Sequence, residues 1–167
     1  MLLLNKYYDN PKITTFCFIV IHNLTECSTN ELRMELTEVS VCEIIVKALK
    51  QNCLISNPKV SNINLAYHGF MAVESLIDYY HNDHAVIRGI ADRFVEAGLC
   101  EVLMSILEKY LPDAVIEYDW VLDFEESDEE CVLDYGQGII RHLSFRDEPT
   151  RVRLTKLGAG NWLPELF

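Results

Sequence analysis

The twelve residues that begin at Glu38, EVSVCEIIVKAL, return in altered form fifty-eight residues later as EAGLCEVLMSIL from Glu96. A segment written twice at a fixed interval points to repeat units that stack on one another. In the second copy the apolar residues fall at Leu99, Val102, Leu103, Ile106, Leu107 and Tyr110, and in the first at Val41, Ile44, Ile45, Ala48 and Leu49. That spacing is one buried stripe of a helix, with Leu103 and Ile45 at its centre. Ile87, Ile90, Ala91 and Phe94 form another stripe just upstream, closed by Gly98, a residue able to take the positive φ of a sharp helix end.

Each unit thus reads as helix, tight turn, helix. A further helix precedes each pair, carried by Ile13, Phe16, Cys17, Val20, Ile21 and Leu24 in the first unit and by Leu65, Ala72, Val73 and Leu76 in the second. At the C-terminus KLGAGNWLPELF sets Gly158 opposite Gly98, and YGQGIIRHLSF supplies the leading helix of a third unit. Ser127 and Glu130 have the spacing of a capping box, and Pro149 suits a first helical turn. The leading helices are expected at about 13–26, 63–80 and 129–145, lining one side of the molecule in succession. The expected organisation is one all-α domain over 1–167, with approximate repeats 5–49, 50–107 and 108–167 and an acidic insertion at 112–130.

The glycine that closes a short first helix, the apolar second helix and the longer helix ending in IHNL resemble the armadillo repeat, as do EAGLCEVL, KLGAGNWLPELF and FIVIHNLTE in their order. The resemblance, which extends to the related HEAT units, implies a right-handed α-solenoid of about three three-helix repeats. One unit leaves its apolar stripes uncovered, and stacking buries them. It also implies a non-catalytic scaffold that binds a partner protein or peptide along the ridge of its leading, or third, helices. The groove positions carried over are Asn23, Ser75 and His142, where peptide-binding members hold Asn. The accompanying aromatic position reads Ile19, Met71 and Gly138, a departure from receptors of the importin-α type. An irregular helical bundle is the competing fold.

Charge separates the function classes further. The net charge is −12, and ten carboxylates with no Lys or Arg lie between Asp113 and Asp134, leaving sixteen acids against fourteen bases elsewhere. Nucleic-acid binding leans on clustered Lys and Arg, so none is expected. Within the acidic stretch, Trp120 and Phe124 are candidate anchors for a partner with a basic surface. Asp119, Asp123, Glu125 and Glu126 are its candidate steering charges. A solvated loop is the plainer alternative.

Six cysteines without CxxC spacing, in a chain with no export signal, fit reduced thiols in the cytoplasm or nucleus. Cys42 and Cys100, at equivalent positions, fit core packing. HNDH at 81–84 lacks further metal ligands, GQG and GAG lack the context of phosphate loops, and NLT at Asn23 sits within a helical pattern. No run is long enough to span a bilayer. No cofactor, metal or catalysis is therefore expected. A structural block of a larger assembly is the second functional reading, and Leu163, Leu166 and Phe167 mark an apolar end at which end-to-end association is expected.

Overall fold

The computed structural model describes residues 2–26, 30–38, 40–55, 62–78, 84–111 and 127–167. Among them the chain forms nine α-helices and no strand: α1 (Leu2–Tyr7), α2 (Pro11–Glu26), α3 (Asn30–Glu38), α4 (Val41–Leu49), α5 (Ile63–Ile77), α6 (His84–Glu96), α7 (Leu99–Tyr110), α8 (Asp128–Arg146) and α9 (Glu148–Lys156). A π-helical stretch, Lys50–Ile55, prolongs α4. No helix of the described residues is long and apolar enough to cross a membrane.

Local chemistry explains several of the boundaries. Asn10 accepts the Ile13 N–H at 3.3 Å ahead of Pro11, which loses nothing by lacking an N–H in the first turn. At α8 the full capping box forms, with Ser127 Oγ accepting from Glu130 N and Glu130 Oε2 accepting from Ser127 N. Asp147 Oδ1 accepts the Thr150 N–H at 2.7 Å at the start of α9, whose first turn holds Pro149.

The three short turns share one backbone solution. Gly98 and Gly158 adopt φ of 91° and 88°, and Ser40, where the first copy has no glycine, takes φ 63°. A non-glycine residue in the left-handed region pays about 1 kcal/mol, part of which glycine returns through its freer unfolded chain. Ser40→Gly is therefore expected to raise unfolding free energy by roughly 0.5 kcal/mol, measured by urea denaturation. A loss of stability would show that the serine hydroxyl does more at this turn than the backbone argument allows.

The longest helices make one layer. α5 packs against α2 on one flank and α8 on the other, and the shorter helices lie behind, α4 touching α3, α5, α6 and α7. One continuous core results, to which Phe18, Ile45, Phe70, Phe94, Leu99, Leu103 and Leu143 all belong. Ile45 and Leu103 are fully buried, as their shared place in the echo requires.

The echo also extends to an ion pair. Glu43 and Glu101 follow the equivalent Cys42 and Cys100, while Arg93 and Arg153 each stand five residues before a turn glycine. Arg93 meets Glu43 at 2.9 Å, and Arg153 grips both oxygens of Glu101 at 2.6 and 2.7 Å. The basic residue of α6 reaches back to α4 in the same way that α9 reaches back to α7.

The third copy departs from the other two after its turn. Following Gly158 there are only single 3₁₀ turns, Ala159–Asn161 and Pro164–Leu166, in place of a second α-helix. Gly160 is a weak helix former, and Pro164 has no N–H to give the carbonyl four residues back. Trp162 and Leu163 are nonetheless buried.

Candidate interaction face

The leading helices present Asn23, Ser75 and His142 in three different settings. Asn23 is exposed on α2. Ser75 is buried in the seam between α2 and α5, where its hydroxyl accepts from Thr25 Oγ1 at 2.8 Å and donates to the Ala72 carbonyl at 3.1 Å. His142 is half-buried near Asp78, the residue that ends α5. Burial lowers the His142 imidazole below its ordinary pKa, against the opposing pull of Asp78. Ser75 is thus engaged inside the molecule, His142 is half-buried, and Asn23 is the exposed position of the three.

The α2–α5 seam is tight because Gly69 allows it. A Cβ at Gly69 would lie 2.5 Å from Leu49 Cδ2 and 3.0 Å from Phe18 Cε2. His22 and His68 also lie at this seam, each with a buried Nδ1 that has no hydrogen-bond partner among the described residues. Burial depresses the His68 imidazole, and its neighbour His22 depresses it further while Asp128 opposes. The Tyr67 ring lies tilted against His68 at 4.5 Å and against Tyr135 of α8 at 5.6 Å between ring centres.

On the other flank of α5, the Glu74 carboxylate sits directly over Gly138 of α8, where any Cβ would collide with it. This position, poor in aromatic character by sequence, is a seat for an acid. Burial, then Asp78, then Asp134 push the Glu74 pKa up to about 7. Burial and like charge both disfavour its ionised form, so Glu74 holds a proton for part of the time near neutral pH. Glu74 was missed in the sequence because nothing local marks it: the acids that crowd it come from another helix and from the end of its own.

Among the described residues no set of three or more His, Cys, Asp or Glu side chains could hold a metal ion. Cys42 and Cys100 are fully buried, and burial raises their thiols to about 12 and about 11, far from a reactive thiolate. The candidate anchors Trp120 and Phe124 and the steering acids Asp119, Asp123, Glu125 and Glu126 lie outside the described residues, as do His81, Asn82 and Asp83. Comparison of the chain with models of known families, with curated proteins and with solved structures returned no match.

Proposed function

We propose that this chain is a non-catalytic protein-interaction module, an armadillo-like right-handed α-solenoid of about three units, which takes a basic partner segment across the face of α2, α5 and α8. The supporting observation is the half-buried carboxyl of Glu74, held over Gly138 in the seam of two helices that pack side by side, with Asp78 and Asp134 close by. A Lys or Arg brought to that seam gains from Glu74, while Asn23 offers an exposed polar group on a neighbouring helix. The acids and aromatics at 119–126 belong to the same proposal as a second point of contact. Five described cysteines are free thiols, which accords with a reducing compartment.

A cation that binds beside Glu74 must drive off its proton when the pH is below about 7. Affinity for a Lys/Arg-rich peptide is therefore expected to rise with pH up to about 7 and level off above it. Glu74→Gln is expected to weaken binding at pH 8 by about tenfold and to flatten this dependence. Fluorescence anisotropy with basic, neutral and acidic peptides of equal length provides the measurement. Equal affinity for all three peptides, or an unchanged pH slope in Glu74→Gln, would sink the proposal and favour a purely structural block, with which the open outer edge of α2 also accords.

A further inference from the structure

α2 carries its buried residues, Thr14, Phe18, Ile21 and Thr25, on the side that meets α5. Its other flank is apolar and open: Phe16, Val20 and Leu24 are 63%, 38% and 44% exposed and recur every four residues. Such spacing aligns them as one stripe along the helix. In the register that equates Asn23 with Ser75, the stripe corresponds to His68, Ala72 and Leu76 of α5. There Ala72 and Leu76 are fully inaccessible, and Ser75 beside them is bonded to α2. The flank that α5 buries against its neighbour is the flank that α2 leaves bare.

The far end of the same layer is closed differently. The outer edge of α8 holds Gln137 and Arg141, which correspond in register to Phe18 and His22. Gln137 Nε2 donates to the Trp162 carbonyl at 2.9 Å, and Arg141 pairs with Glu165 at 3.4 Å. The chain's own final turns occupy that edge, and Leu163 beneath them is fully buried. Head-to-tail stacking, in which α2 of one copy would meet α8 of the next, is thereby obstructed. Of the apolar end expected at Leu163, Leu166 and Phe167, Leu163 is buried, Leu166 is half-buried and Phe167 is exposed, and the larger open apolar stripe lies on α2.

We propose that this stripe is a self-association surface, on which α2 of a second copy docks antiparallel about a two-fold axis near Val20. The charges of α2 favour that occupant and that direction. Apart from His22, its only ionisable side chains that carry charge at neutral pH are Lys12 in the first turn and Glu26 at the last residue, both exposed. An antiparallel pair sets Phe16 against Leu24 of the second copy. It also brings each Lys12 within about 3 Å, along the axis, of the level of the other copy's Glu26. A parallel pair would oppose like charges at both ends. Glu26 is exposed and also lies in the field of Arg33 in its own chain, so Lys12 of the second copy would share it with that guanidinium. Two-fold pairing uses the same patch on both copies and closes at the dimer.

Sedimentation equilibrium of the full chain, from low to high micromolar concentration, tests the proposal. A reversible monomer–dimer equilibrium is expected. Val20→Asp should raise its Kd by more than about tenfold, because an unpaired charge enters an apolar contact twice. Lys12→Glu should raise Kd by about tenfold, and Lys12→Glu combined with Glu26→Lys should bring it back to within about threefold of the parent. Far-UV circular dichroism checks that each variant folds, and if Val20→Asp does not, the charge-reversal pair decides. A monomer at every concentration, an open-ended polymer, or a double reversal as weak as Lys12→Glu alone would overturn the antiparallel pairing.

Discussion

Leu103→Ala is expected to lower the free energy of unfolding by about 2–5 kcal/mol, the range for truncating a fully buried leucine whose surroundings relax only in part. Leu103 has no accessible surface and lies on α7, which packs against α4, α6, α8 and the π-helical stretch. A cavity there is walled by several helices, so closing it would require more than one of them to move. Urea denaturation followed by circular dichroism gives the value directly. The same truncation at Ile45, its counterpart in α4 and equally buried, should fall in the same range. A loss below about 1 kcal/mol at Leu103 would mean that α7 does not hold the central position that its burial indicates.

The second large effect is expected from adding a single methyl group. Gly69→Ala replaces a poor helix former by the best one, a gain of about 1 kcal/mol in an unconstrained helix. At Gly69 the new Cβ would stand 2.5 Å from Leu49 Cδ2 and 3.0 Å from Phe18 Cε2, and both of those side chains are fully buried. Neither has free space to retreat into, so α5 must move away from α2 and α4. Overpacking of this kind costs about 1–3 kcal/mol beyond the propensity gain and is expected to prevail. Gly89 of α6 supplies the contrast, since nothing lies within 4 Å of its Cβ position and the residue is exposed. Gly89→Ala should stabilise by about 0.5–1 kcal/mol. If the two variants shifted stability alike, close packing at the α2–α5 seam would not be the reason for Gly69.

How much of this was legible in the sequence depends on whether the cause was local. The apolar stripes, the turn at Gly98 and the Ser127–Glu130 box depend on residues within a turn or two of each other, and each emerges where spacing placed it. The leading helices span Pro11–Glu26, Ile63–Ile77 and Asp128–Arg146, close to expectation, and α5 lies between the other two. Ser40 obeys the same backbone requirement as the glycines without announcing it, so the weakest letter of the echo proved to share its geometry.

The remainder required contacts between distant residues. Ser75 looked like a surface position because its neighbours in sequence do not reveal Thr25, fifty residues away, as its partner. Gly138 read as a missing aromatic until Glu74 was found above it. The Arg93–Glu43 and Arg153–Glu101 pairs left a signal, the recurrence of Cys-Glu and of an Arg five residues before glycine, but spacing alone could not join an acid of one unit to a base in the next.

The reciprocal bonds between Ser127 and Glu130 have a consequence for how the chain tolerates change. α8 satisfies its first N–H groups with side chains that belong to its own opening turn, and α7 ends at Leu111 with that residue's N–H bonded back to Leu107 at 2.9 Å. These end bonds are made within each helix's own residues. Substitutions between Leu111 and Ser127, including those at 119–126 that would test the second point of contact, can accordingly be made without touching the bonds that hold the ends of α7 and α8.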